Sequence, residues 1–156
     1  MLSRADVEDD FTSFVRTVEP RLARALVAVY GSEVGHEATR DALVYAWEHW
    51  ERISVMENPV GYLYRVGQSS SRRYRRRPLL FPDVNPDDLP HVEPKLPEAL
   101  RQLSRSQRAA LVLIHVEGMS ERDAAQAMGV SRVTVRRHAQ RGMTKLRNVL
   151  EVDDVS

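Results

Sequence analysis

The chain has 156 residues, 23 Lys or Arg against 22 Asp or Glu, and no cysteine. That length holds one domain or two small ones, and the missing cysteine excludes disulfides, thiolate zinc sites and thiol nucleophiles. No apolar run is long enough to span a bilayer, and the acidic opening MLSRADVEDDF lacks the apolar centre of a secretory signal, so a reducing cytoplasm is the expected compartment.

Helical spacing dominates from the start. Phe11, Phe14, Val15 and Val18 follow Asp9 and Asp10, whose carboxylates suit a helix N-terminus. Pro20 is expected to kink this helix or to open a new one. Leu22, Leu26 and Val29 carry the apolar stripe to Tyr30, and Gly31 ends it. A GSEVGH connection then leads to a second helix over about 36–50, with Ala42, Leu43, Ala46, Trp47 and Trp50 on its apolar face. Residues 51–59, ERISVMENP, read as a loop. A third helix is expected from about Val60 to Arg77, with Leu63 and Val66 in the core and five Arg in its last six residues. Cations suit a helix C-terminus, but not in that number for the dipole alone.

A proline recurs every three to four residues from Pro78 to Pro97, which forbids helix and ladder alike and predicts an extended linker. Leu79, Leu80 and Phe81 within it either dock on a neighbour or cap the third helix's core. Two helices split near Ser104 follow.

The stretch Gly118–Leu150 is the most specific. Ser120 is a plausible N-cap for a helix ending at Met128, Gly129 suits the positive φ of a C-cap, and Ser131 caps a second helix. Ala124, Ala125 and Met128 face Val130, Val135 and Ala139. This is the spacing of a helix-turn-helix, whose second helix enters the DNA major groove. From Ala124 to Leu150 there is no acid, while Arg132, Arg136, Arg137, His138, Arg141, Lys145 and Arg147 all occur. A solvated basic face would account for the charge alone. The apolar spacing, turn glycine and serine cap favour a polyanion partner. Two basic stretches separated by an acidic spacer suggest two contacts with it.

Catalytic patterns are missing. His36, Glu37, Asp41, Glu48 and His49 lack the spacing that sets two imidazoles on one helix face, so neither a metal nor another cofactor is expected. There is no phosphate-cradling glycine loop and no nucleophile elbow. The reading is all-α and non-enzymatic: two small helical domains, one of three helices and one of four with the helix-turn-helix, joined by a Pro-rich linker.

From Phe11 to Leu150 the chain resembles the extracytoplasmic-function (ECF) sigma factors of bacterial RNA polymerase. The C-terminal part is similar to the family's domain 4 at Leu103–Arg108, Glu117–Ser120 and Ala125–Val135. The N-terminal part is similar to domain 2 at Pro20-Arg21-Leu22, Ala46-Trp47 and Pro59 through Tyr62–Val66 into the Arg run. The resemblance implies domain 2 over 1–77, a linker over 78–97, domain 4 over 98–151 and a tail over 152–156. Domain 4 would sit on the polymerase β flap and read the −35 element with Ser131, Arg132, Thr134, Arg136, Arg137, His138 and Arg141. Domain 2 would capture the opened −10 strand with Arg72, Arg73, Tyr74, Arg75 and Arg76 and with the 52–58 loop. It would hold the β′ clamp helices through Glu37, Arg40, Asp41 and Val44, where Arg40 replaces the family's usual Gln. An anti-sigma factor is a further partner the resemblance implies. The rival readings are a helix-turn-helix regulator with a sensing first module, and a sigma-like protein that has lost initiation and acts by protein interaction.

Overall fold

The computed structural model describes residues 1–74 and 96–155. Among these there are eight α-helices, one π-helical segment and no strand, as the all-α reading expects. Helix α1 spans Arg4–Tyr30, α2 Ser32–Glu48, α3 Trp50–Ile53, α4 Pro59–Tyr74, α5 Leu96–Arg101 and α6 Arg105–Leu111. The π-helical segment Val112–Val116 extends α6, and α7 (Glu121–Met128) and α8 (Arg132–Val155) follow. Residues 75–95 fall outside the described set, and with them Arg75, Arg76, Arg77 and Leu79–Phe81.

Helix α1 starts earlier than the apolar pattern indicates. Ser3 and Asp6 form a capping box: the Asp6 N–H donates to Ser3 Oγ at 3.2 Å, and the Ser3 N–H donates to Asp6 Oδ2 at 3.0 Å. The Ser3 hydroxyl, donating to Asp6 Oδ2 at 2.8 Å, and after it the Ser3 N–H hold the Asp6 carboxyl below its ordinary value. Helix α1 also runs straight through Pro20. A mid-helix proline costs about 3 kcal/mol. Burial beyond it offsets that cost, since Leu22, Ala25, Leu26 and Val29 are all enclosed.

The expected GSEVGH connection shrinks to one residue. Gly31 has φ 91°, a left-handed conformation that reverses the chain at once. Ser32 to Gly35 therefore belong to α2. Gly35 lies hard against α1: a Cβ there would stand 2.5 Å from Val27 Cα. Gly67 of α4 has the same use, since a Cβ would meet Leu26 Cδ1 at 2.7 Å. Helices α1, α2 and α4 thus share a core of Leu22, Leu26, Ala38, Ala42, Ala46, Ile53, Val60 and Leu63.

Two expected core residues lie elsewhere. Trp47 is 44% exposed and Val130 is also exposed. Trp47 faces solvent because Ala42 and Ala46 take the inner face of α2; its ring lies tilted against Phe11, with centroids 4.9 Å apart. Trp50 is half-buried between Phe11 and Phe14.

Helices α6, α7 and α8 form the second group, around Ala110, Leu113, Ala124 and Val135. Ser104 caps α6 reciprocally with Gln107. The two groups touch along α4–α7 and α1–α6, and their buried apolar residues make one connected cluster. No helix among the described residues is long and apolar enough to cross a membrane.

Candidate nucleic-acid interface

The helix-turn-helix is built from local signals. Ser120 Oγ accepts from the Asp123 N–H at 3.0 Å and starts α7. Gly129 ends it in the left-handed region at φ 72°, and the Val130 N–H returns to the Ala125 carbonyl at 3.0 Å. Ser131 Oγ accepts from the Thr134 N–H at 3.1 Å and starts α8. Val135 and Ala125 are buried in the angle between the helices.

Helix α8 turns Arg132, Val133, Arg136, Arg137, Gln140 and Arg141 to solvent. Three of the arginines lie in its first turns, at the positive end of the helix dipole, where cations are unfavourable. No acid occupies that first turn. An external anion is the natural partner of such an arrangement.

The predicted base-reading residues divide by environment. Arg132, Arg137 and Arg141 are exposed and pair with no other described residue. Arg136 is tied within the motif: its Nε and Nη2 donate to Glu121 Oε2 at 3.0 and 2.9 Å. The bond lowers the Glu121 carboxyl below its ordinary range and raises the Arg136 guanidinium. Ser131 and Thr134 are bonded to each other through their hydroxyls at 2.8 Å, as part of the cap. His138 is half-buried on the flank. Val133, 65% exposed amid the arginines, was not among the expected residues. Its position on the arginine-rich face is the only sequence signal for it, and an apolar contact there suits a thymine methyl.

On the first module, Arg72 and Arg73 project from the last described turn of α4. Tyr74 turns back instead: its hydroxyl donates to Asp41 Oδ2 at 2.8 Å, and that bond raises the phenol above its ordinary value. Asp41, Val44, Tyr45, Glu48, Val66 and Arg73 thereby line a cleft of about 570 Å³ between α2 and α4. Glu37 pairs with Arg40 at 3.0 Å on the surface, a contact worth little by itself. Val44 is exposed. Together with the exposed Trp47, these residues put acid and apolar groups on one side of α2.

A polar aromatic cluster beside the 52–58 loop was not expected. Tyr45 and Tyr62 share a hydroxyl bond at 3.0 Å, and Arg52 donates to the Tyr62 hydroxyl at 2.9 Å. The His49 ring stacks on Tyr45 at 4.0 Å. The bond from Tyr45 raises the Tyr62 phenol. Only the Tyr45–His49 spacing was legible beforehand; the approach of Arg52 and Tyr62 is tertiary. Stacked rings with a guanidinium suit unpaired bases.

Comparison with known proteins agrees with this geometry. Residues 94–146 match the family described as "Sigma-70, region 4". The chain is 29% identical over 157 aligned positions to the RNA polymerase sigma-E factor of Streptomyces avermitilis, covering 94% of this chain and 88% of that one. It is 28% identical to the sigma-E factor of Streptomyces coelicolor, covering 94% and 89%. The fold is similar to that of the sigma factor RpoE in its complex with the anti-sigma factor NepR from Bartonella quintana, with a TM-score of 0.76, 23% identity, and 92% and 98% coverage. It is also similar to CnrH in complex with the cytosolic domain of CnrY, with a TM-score of 0.67, 24% identity, and 92% and 88% coverage. At those identities the two structures speak to fold alone.

A helix-turn-helix of the sigma-70 region 4 type on an all-helical body defines a sigma factor of bacterial RNA polymerase, acting in transcription initiation. Within that class the chain resembles the extracytoplasmic-function sigma factors.

Proposed function

We propose that this sigma factor reads the −35 element as duplex through α8 and holds the opened −10 strand at the C-terminal end of α4. In this reading residues 1–77 form domain 2, residues 78–97 the linker and residues 98–151 domain 4. The observation that carries it is the outward arginine face of α8, set against its own helix dipole with no acid in the first turn. Arg132, Arg137 and Arg141 reach base edges or phosphates directly, and Val133 adds an apolar contact. Arg136 is steered by Glu121.

Arg72 and Arg73 give the −10 strand a cationic track, with Tyr45, Tyr62, Arg52 and His49 as a stacking surface. The exposed side of α2, with Glu37, Arg40, Asp41, Val44 and Trp47, meets the β′ clamp helices, and domain 4 meets the β flap. The solved relatives RpoE and CnrH are held by NepR and CnrY. An anti-sigma partner for this chain follows by that analogy. The protein works where polymerase does, in the cytoplasm, and carries out no catalysis of its own.

Replacing Arg72 and Arg73 with Gln will flatten the salt dependence of open-complex formation by about 0.7 in log–log slope per lost single-strand phosphate contact. Permanganate footprinting of the opened strand across a salt series measures this. A slope equal to the parent's removes these residues from the strand track.

A further inference from the structure

Past its first turns, α8 goes on as a cationic helix that the proposed base contacts do not use. It spans 24 residues, about 36 Å at ~1.5 Å per residue. A major groove is about 12 Å wide, and a recognition helix reads base edges with its N-terminal residues. Lys145 stands about 20 Å along the axis from Arg132 and so lies outside a groove that seats the first turns.

One side of this C-terminal half is close-packed. Gly142 is buried against α6, where a Cβ would meet Leu111 Cδ1 at 3.1 Å and Gln107 Cβ at 3.2 Å. Met143 and Leu146 are half-buried on the same side. The opposite side carries a shallow depression of about 320 Å³ lined by Gln140, Arg141, Thr144, Lys145 and Asn148. All five are exposed, each offers an N–H or O–H donor, and none is an acid. None bonds to another described residue. The first acid on α8 is Glu151.

Solvation alone explains this arrangement poorly. Arg137, Arg141 and Lys145 make two successive like-charge pairs at i,i+4, which destabilise a helix. The helix dipole does not offset them, because its effect is confined to the last turn and Lys145 lies more than two turns before Val155. An external anion relieves both repulsions at once.

We propose that this depression seats a phosphate of the DNA backbone flanking the −35 element, an inference that rests on the −35 reading of α8. The Arg141 guanidinium and Lys145 ammonium flank the phosphate, while the Thr144 hydroxyl and the Gln140 and Asn148 amides donate to its oxygens. The seat continues the outward face of Val133 and Arg137, so the duplex engaged there supplies the anion. The contact carries no sequence information. It fixes the register in which the first turns of α8 meet the bases. Arg147 stands about 200° around the helix from Lys145 and lies outside the seat.

The test uses holoenzyme assembled from core polymerase and the full chain. Its promoter duplexes carry one methylphosphonate linkage, placed in turn at each backbone position within a helical turn of the −35 element. With the parent, one or two linkages outside the element will weaken binding about tenfold, the size of one charge-assisted contact. K145Q will weaken binding to the unmodified duplex by a similar factor and reduce the magnitude of the log–log salt slope by about 0.9. It will lose the sensitivity to those linkages, while its preference at each −35 base pair matches the parent's. R147Q removes the same charge outside the seat and will keep the parent's linkage pattern. Both residues are exposed, and circular dichroism confirms that the variants fold. No sensitive linkage outside the element in the parent, or the parent's pattern in folded K145Q, overturns the seat. Loss of that pattern in R147Q also overturns it, by making the effect one of net charge. A K145Q defect in holoenzyme assembly, with every linkage effect unchanged, overturns it in favour of an acidic protein surface. Failure of the −35 reading shows separately, as a parent indifferent to base changes within the element.

Discussion

Alanine at Arg137 will reduce −35 recognition more than alanine at Arg136, and the double change will abolish it. A base-reading arginine contributes roughly ten- to hundredfold discrimination per contact. Arg137 is exposed, whereas Arg136 is bound to Glu121 at 2.9 Å. In the parent protein, Arg136 therefore reaches DNA only in the direction Glu121 allows. Glu121→Gln will release it, relaxing base preference while leaving phosphate affinity close to the parent's. Competition binding of polymerase holoenzyme to promoters altered at single −35 positions reads both effects. An R137A protein with the parent's preference at every position removes α8 as the reader. Additive effects of E121Q and R136A would show that the ion pair does not steer the arginine.

Gly35→Ala will destabilise the protein by about 3 kcal/mol or more, at the upper end of the cost of overpacking. The added Cβ would sit 2.5 Å from Val27 Cα and 2.6 Å from Val27 N. Those are backbone atoms within α1 and cannot swing aside, so α1 and α2 must part. The corresponding fall in melting temperature is about 10 °C for a chain of this size. Gly142→Ala is the fitting comparison. Its Cβ would meet Leu111 Cδ1 at 3.1 Å, a side-chain atom that can shift by a few tenths of an ångström. Urea unfolding of the two variants, with equal m-values, gives the difference. Equal midpoints would mean the α1–α2 crossing is looser than its geometry.

These two positions show what the sequence could and could not convey. The helix-turn-helix was legible because its determinants are local. Ser120, Gly129 and Ser131 each act within four residues, and each does in the structure what its type and position indicate. Gly35 gave no such signal. A glycine in a turn and a glycine under a neighbouring backbone look alike until the helices are packed. Pro20 misled for the converse reason: its local cost is real, and burial of the residues after it outweighs that cost. Ser3 and Asp6 carried a readable capping box that the apolar pattern, starting only at Phe11, drew attention away from.

At the candidate sites the same boundary applies. Side chains on one helix face could be grouped from spacing, which found Arg132, Arg137 and Arg141, whereas Asp41 and Val44 on α2 came from the family resemblance. Pairings across elements could not be found that way. Glu121 with Arg136, Asp41 with Tyr74, Arg52 with Tyr62, and Glu117 with Arg21 and Arg24 all depend on how helices cross. Those pairings decide which charges are free for nucleic acid and which hold the fold.

The account stands most directly on run-off transcription with purified core polymerase and a promoter library. It predicts transcripts that appear only when this protein is added, that start downstream of a shared −35 and −10 pair, and that disappear with R132A/R137A. Sequence-specific DNA binding without any such transcript would contradict it and would make the chain a helix-turn-helix regulator instead.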